Sequence, residues 1–160
     1  MPNVSLIVGA RPHERVMQAH SYLAESTIYR GDFVKKNANG TVERATATGA
    51  MLGCALTNAV AGQEVLVADH PDQSYSIQAS GSDVDAQTDI GLNYNILPGT
   101  PNTVYMRSGM QLDSTTGATT ATLQLKLVAI DRSVGNALGA QVKCHVKINA
   151  HQNSTDEVGV

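Results

Sequence analysis

The sequence contains no tryptophan and only one phenylalanine in 160 residues. Aromatic residues make up 4% of the chain, which argues against a large ligand pocket lined with aromatic rings. Charged residues are also scarce, at 16% compared with a typical share of about 25%. Small polar residues must therefore cover most of the surface, and the many small side chains predict thin, closely fitted layers.

Long apolar runs and cysteine-rich patterns are also lacking. No apolar run approaches the ~20 residues that span a membrane. The N-terminus lacks the basic stretch and apolar core of a signal peptide, so we expect synthesis in a reducing compartment. Cys54 and Cys144 each lie in a strand-like apolar run, which favours two buried free thiols over a disulfide.

The charge is slightly negative overall, at −3, so the composition does not indicate a nucleic-acid partner. Its distribution is uneven. Residues 50–125 hold seven acidic groups and one basic group, whereas residues 1–49 hold six basic and four acidic groups. This asymmetry is consistent with orientation on a partner surface, and equally with an uneven solvated surface.

Catalytic and metal-binding signatures are absent from the sequence. It has no G-x-S-x-G, H-E-x-x-H, Walker A or G-x-G-x-x-G motif, and no zinc-type cysteine pair. His70 and Asp72 are an acid–base pair without a marked nucleophile, and Asp83 and Asp85 lack the glycine and glutamate of an EF-hand. We expect no catalytic residue, no metal, no cofactor and a solvated acidic loop.

Alternation of apolar and polar residues dominates the rest of the chain. The stretch QVKCHVKINAH predicts a strand with Val142, Cys144, Val146, Ile148 and Ala150 inward and Lys143, His145, Lys147, Asn149 and His151 outward. Asn39-Gly40 between DFVKK and TVERA predicts a hairpin. The pattern therefore predicts an all-β fold, a compact antiparallel β-barrel or sandwich, with tadpole-like barrel and jelly roll both open.

Three segments are expected. Residues 1–28 form an extended N-terminal arm, with a short helix over His13–Leu23 as the alternative; residues 29–151 form the β domain; residues 152–160 form a polar C-terminal tail. The tripeptide Arg30-Gly31-Asp32 is known from cell-adhesion ligands, but its position between two apolar pairs favours the entrance to the first hairpin.

The stretch GDFVKKNANGTVERATATGAMLGCALTNAVAGQEVLVADHPDQSYSIQA has a recognisable order and spacing of strand-like segments. A G-D-x-V strand is followed by a hairpin, a long apolar run and A-G-x-x-V-x-V. Together with TDIGLNYNILPG, RSGMQLD, ATLQLKLVAI and VKCHVKINAH, it resembles capsid decoration, or cement, proteins of tailed bacteriophages. The resemblance covers residues 29–151 and rests on spacing, without an invariant motif.

The resemblance implies a non-enzymatic virion protein, made in the host cytoplasm and bound to the capsid exterior, commonly as a homotrimer. Its partners would be the major capsid protein and itself, with no nucleic acid and no membrane. Independently of the resemblance, apolar and basic residues of the arm and basic residues around the hairpin are candidate partner contacts. They are Val4, Leu6, Val8, Arg11, Arg15, Lys35, Lys36 and Arg44.

Two other functions remain open at this point. One is a carbohydrate- or host-surface-binding module displayed on a virion, with residues 81–89 and 97–103 as its tips. The other is a small hydrolase that uses His70 and Asp72.

Overall fold

The computed structural model describes residue 3, residues 5–155 and residues 159–160, so the predicted contact residue Val4 lies outside the described residues. These residues form short strands and two single-turn 3-10 helices, Gln87–Asp89 and Ser114–Thr116. The strands are β1 (Arg11–Pro12), β2 (Ala19–Leu23), β3 (Phe33–Lys36), β4 (Val42–Arg44), β5 (Gly53–Ala55), β6 (Glu64–Ala68), β7 (Ser74–Gln78), β8 (Asn93–Tyr94), β9 (Ile96–Leu97), β10 (Gln111–Leu112), β11 (Leu125–Ile130) and β12 (Lys143–Ile148).

The strands make two five-stranded antiparallel sheets that pack as a sandwich. The first sheet has the order β1-β7-β12-β11-β8 and the second β2-β6-β5-β3-β4, while β9 and β10 form a separate two-stranded ribbon. The predicted antiparallel all-β class is confirmed. Of the two architectures left open, the structure shows a sandwich, and within the described residues the sheets do not close into a barrel.

Strand β12 follows the predicted alternation. Cys144, Val146 and Ile148 are buried, and the residues between them are half-buried on the outer face. The prediction is wrong for His151, which is 2% exposed, because β12 ends at Ile148 and the chain then turns. Alternation constrains a side chain only while the backbone stays extended.

Strand β11 departs from strict alternation near its end. Leu125 and Leu127 are fully buried, but the pairing with β12 shifts register between Leu127 and Ala129. A bulge of this kind inserts an extra residue and exchanges the two faces beyond it. Ile130, which strict alternation would place on the face opposite Leu127, therefore packs against the core.

The main core lies between the two sheets. Phe33 of β3 meets Tyr75 of β7 edge-on, with ring centroids 5.2 Å apart, and the Tyr75 hydroxyl donates to the Ala68 carbonyl at 2.9 Å. Both rings are fully buried. Burying a side chain of this size stabilises the fold by roughly 1.5–3 kcal/mol, so the single phenylalanine is a central contact between the sheets.

The second sheet is apolar on both faces. Its outer face carries Val34, Val65 and Val67, which pack with Ile28 and Ala59 in a second cluster. Ile28 and Ala59 exchange backbone hydrogen bonds at 2.8 and 3.0 Å, which fixes the covering segment on the sheet. The chain thus seals this face with its own loops.

Both cysteines are free and buried, as predicted. Cys54 lies on β5 and Cys144 on β12, so each sheet holds one thiol. Burial raises the pKa of Cys144 to about 12 and raises the pKa of Cys54 further above its ordinary value.

The hairpin predicted at Asn39-Gly40 is present between β3 and β4. Gly40 has a φ of +83°, and the Asn37 amide and carbonyl bond to Thr41 and Gly40. The predicted extended N-terminal arm is not shown. Within residues 1–28, β1 pairs with β7 and β2 pairs with β6, because their exposed edges offer backbone partners to the early chain.

The end of the chain also contacts the body. Gln152 of the predicted tail, residues 152–160, accepts a hydrogen bond from the Lys36 amide at 2.6 Å and donates to the Lys36 carbonyl at 3.0 Å. Residues 156–158 lie outside the described residues.

Candidate partner-binding surface

The structure gathers three of the predicted contact residues around one cleft. Leu6, Val8 and Arg11 line it, although they were chosen as members of a free arm. Arg30, Asn58 and residues 105–107, which belong to a turn at residues 102–107, also line it. We call this feature, with its volume of about 400 Å³, the arginine cleft.

Backbone hydrogen bonds join the three segments that form the arginine cleft. The Ala10 amide donates to the Gly31 carbonyl at 2.8 Å, and the Ser108 amide donates to the Arg30 carbonyl at 3.1 Å. Gly31 has a φ of +96°, and a Cβ there would lie 2.5 Å from the Val8 carbonyl oxygen. Only glycine permits this close approach, so the junction needs the residue found at position 31.

The turn at residues 102–107 is held by the backbone and the side chain of its first residue, Asn102. Asn102 exchanges backbone hydrogen bonds with Arg107 at 2.9 and 3.0 Å, and its Oδ1 accepts the amides of Val104 and Tyr105 at 3.1 Å each. Val104 is nonetheless 83% exposed and Tyr105 70% exposed. A fixed turn that presents large apolar side chains to solvent is typical of an interaction surface.

The charge of the arginine cleft is of one sign. Arg11, Arg30 and Arg107 line it, and none of the lining residues is acidic. Within the part of the chain that the structure describes, no carboxylate forms an ion pair with these three guanidinium groups. The side chains that line the cleft therefore offer hydrogen-bond donors without a neutralising carboxylate.

Arg44, another predicted contact residue, is already engaged inside the molecule. Its Nε donates to Oδ2 of the fully buried Asp32 at 2.9 Å, and its Nη2 donates to the Pro98 carbonyl at 3.0 Å. Asp32 also accepts from the Ser108 hydroxyl at 2.6 Å and from the Tyr29 amide at 2.9 Å. The buried Asp32 carboxylate of Arg30-Gly31-Asp32 is therefore not displayed as an adhesion ligand. This agrees with the sequence analysis, which favoured the entrance to a hairpin over an adhesion motif.

The remaining predicted contact residues lie apart from the arginine cleft. Lys35 pairs with Glu43 at 3.1 Å, and the Lys36 ammonium stands 5.4 Å from the centre of the Tyr22 ring. Arg15 is exposed in the segment between β1 and β2. The structure thus does not bring the seven candidates that it describes into one patch.

A second polar cluster surrounds Asp69, which is fully buried at the end of β6. Its Oδ2 accepts from His20 Nδ1 at 2.8 Å, from the Tyr22 hydroxyl at 2.5 Å and from Asn153 Nδ2 at 3.3 Å. The pKa of Tyr22 is raised to about 12, mainly because the hydroxyl is buried and secondly because it is hydrogen-bonded to Asp69. This arrangement holds the His20 ring at the surface with its Nδ1 occupied.

His151 lies buried beside this cluster. Burial lowers its pKa to about 4, although the Asp69 charge acts in the opposite direction. Its Nδ1 accepts the Asn153 amide at 3.1 Å, so in the neutral ring the proton sits on Nε2. His151 Nε2 and Asp69 Oδ1 are both buried without a hydrogen-bond partner among the described residues.

His70 and Asp72, which the sequence offered as an acid–base pair, contact each other through a backbone amide. The His70 Nδ1 accepts the Asp72 backbone amide at 3.1 Å, and the described residues show no bond between its ring and the Asp72 carboxylate. No group of three or more histidine, cysteine, aspartate or glutamate side chains in the described residues is arranged to hold a metal.

Searches against known protein families and against curated proteins find no match for this chain. None of the helices in the described residues is long and apolar enough to cross a membrane.

Proposed function

We propose that this chain is a non-enzymatic virion protein that binds the outer surface of a tailed-phage capsid and clamps neighbouring major capsid subunits. Sequence texture supports the phage context, through the resemblance of residues 29–151 to capsid decoration proteins. The observation that carries the binding role is the rigid turn with exposed Val104 and Tyr105 beside the arginine cleft. Tyrosine, methionine and arginine are enriched at protein interfaces, and all three occur here.

The proposal includes synthesis in the host cytoplasm, assembly as a homotrimer and no cofactor. Each protomer would add one contact to the shell, and several contacts on one assembly raise the effective concentration of the others. Binding only to the assembled shell would stabilise it by mass action. A rigid β-sandwich suits this role because little order is lost when it docks.

The decisive experiment measures binding to shells assembled from the major capsid protein of the phage that encodes the chain. Val104→Ser combined with Tyr105→Ser should weaken binding by roughly 100-fold, because two exposed anchor side chains are lost. Val134→Ser is the matched control, since Val134 is fully exposed outside this surface. Absence of wild-type binding, or equal loss in the control, would contradict the proposal.

A second candidate function is a carbohydrate- or host-surface-binding module on a virion. The observation that favours it is the exposed ring of Tyr105, which lines a cleft rich in hydrogen-bond donors. An aromatic ring beside polar donors suits a sugar ring. A glycan array distinguishes the two: Tyr105-dependent binding to a defined glycan supports this function, and a blank array removes it.

A further inference from the structure

The arginine cleft is built to receive negative charge. Its side chains supply the guanidinium groups of Arg11, Arg30 and Arg107, and none of the lining residues is acidic. Guanidinium groups bind carboxylates through paired, planar hydrogen bonds, so a cleft with three of them favours a ligand with more than one carboxylate. The walls are held by backbone bonds, so the charges are gathered before any ligand arrives.

The same chain carries a fixed acidic projection, the loop at residues 81–89. Asp83 and Asp85 are exposed, while Val84 between them is fully buried and anchors the loop. The Val84 carbonyl accepts the Gly139 amide at 2.8 Å, and Asp89 Oδ2 accepts the Asp85 amide at 3.1 Å. The two exposed carboxylates therefore stand on an ordered backbone.

These carboxylates are available for a partner. Asp83 uses one oxygen to accept the Ser114 hydroxyl at 2.9 Å, and within the described residues the Asp85 carboxylate forms no hydrogen bond or ion pair. No ion pair joins the loop to the arginine cleft within the chain as described. Each surface thus lacks its complement inside one protomer.

We propose that the arginine cleft of one copy binds the acidic loop of a second copy. Charge complementarity favours this occupant because the same molecule presents both halves, three arginines and a pair of exposed aspartates. A nucleic acid fits poorly, since its continuous charge would meet a chain of net charge −3. This inference rests on the proposed homotrimer and names its contact.

The contact is head-to-tail, because it joins two different surfaces. Such a contact generates a closed ring when the rotations between successive copies add up to a full turn, and an open filament when they do not. Met106 also lines the arginine cleft and is partly exposed, so the entering loop would cover apolar surface there as well. Charge would set the register, and apolar burial would add affinity.

The test measures the mass of the full chain alone, by light scattering after gel filtration, across a range of concentrations. Reversing the cleft with Arg30→Glu and Arg107→Glu should weaken self-association by roughly 100-fold, and Asp83→Arg with Asp85→Arg should do the same. All four changes on one chain should restore part of it, because both loop charges and two of the three cleft charges are then reversed while Arg11 is unchanged. Mixing the cleft-reversed chain with the loop-reversed chain should give mixed complexes, because each variant's cleft is then complementary to the other variant's loop.

The matched control is Arg132→Glu, which reverses an exposed arginine outside the cleft and should leave self-association unchanged. Circular dichroism and thermal unfolding of every variant exclude loss of fold as the cause. A wild-type chain that stays monomeric, or association that neither reversal weakens, would overturn the inference.

Another acidic occupant gives a different pattern. If the chain is monomeric and a hexaglutamate peptide binds in an Arg107-dependent way, the cleft serves another acidic protein and the second-copy assignment is wrong. Charge-dependent self-association without binding to capsid shells would retain this inference and refute the proposed function. Shell binding by a monomeric chain would retain the function and refute the inference.

Discussion

Arg44 and the arginines of the cleft show the same residue type in two roles. Arg44 is held by a buried aspartate and a backbone carbonyl, whereas Arg11, Arg30 and Arg107 have no carboxylate partner among the described residues. Removing one member of a buried ion pair lowers the free energy of unfolding by several kcal/mol, whereas replacing an exposed arginine changes it little. Cationic residues that look alike in the sequence are thus divided between stability and recognition.

Removing the Asp32 carboxylate should have the largest effect. Asp32→Ala leaves Arg44, the Ser108 hydroxyl and the Tyr29 amide without their acceptor, so we expect a loss of about 3–5 kcal/mol in the free energy of unfolding. Urea denaturation measures it.

Arg107→Gln is the control for that experiment and should change stability by no more than about 0.5 kcal/mol. Equal effects of Asp32→Ala and Arg107→Gln would remove the distinction between the two sets of arginines. Adding Arg44→Ala to Asp32→Ala should cost less than the sum of the single losses, because the two side chains share one interaction.

Gly31→Ala tests the junction that forms the arginine cleft. Its added Cβ would meet the Val8 carbonyl at 2.5 Å, so we expect a loss of roughly 3 kcal/mol. Gly40→Ala is the matched case, since Gly40 also has a positive φ but nothing lies within 4 Å, and about 1 kcal/mol is expected. Thermal unfolding of both variants should show this order, and the reverse order would contradict the described junction.

Acidification should destabilise the fold through His151. Its pKa is about 4 in the folded chain, compared with about 6.5 when unfolded. Between these values the unfolded chain binds a proton that the folded chain does not, so the free energy of unfolding falls as the pH decreases from about 6.5 to about 4. The penalty is absent above this window.

The variant His151→Asn should flatten this part of the stability profile. Asparagine keeps an acceptor for the Asn153 amide but does not titrate. Unfolding curves measured at several pH values give the comparison, and an unchanged slope in the variant would assign the effect to other groups.

Lys35→Gln should have the smallest effect. Lys35 is half-exposed and pairs with Glu43 at 3.1 Å across the β3–β4 hairpin. Exposed pairs typically contribute about 0.2–1 kcal/mol, so the change in unfolding free energy should lie within that range. A loss as large as that of Asp32→Ala would mean that exposure does not separate the two kinds of ion pair.

Local pattern was enough to predict much of the fold. The alternation of β12 and the Asn39-Gly40 turn each depend on a few consecutive residues, and both are found as predicted. His151 was misplaced because the strand ends before it, and Ile130 departs from the alternation because of a bulge. The local pattern of residues does not show either event. The choice between barrel and sandwich depends on strand order, which alternation does not encode.

The candidate surface was less predictable for the same reason. Leu6, Val8 and Arg11 were chosen near the N-terminus, but their cleft partners Arg30 and Arg107 come from distant segments joined only by folding. The sequence drew attention to His70 and Asp72, but the fully buried carboxylate beside them is Asp69, whose partners are His20, Tyr22 and Asn153. Pro101 and Asn102, just before Val104 and Tyr105, were the local signal that could have indicated a turn.

The positions of Cys54 and Cys144 give the molecule a built-in readout of its own opening. An alkylating reagent attacks the thiolate, and both sulfurs are enclosed and protonated while the sandwich is shut. Because one sulfur lies in each sheet, their separate labelling rates would show whether the two halves come apart together or in turn.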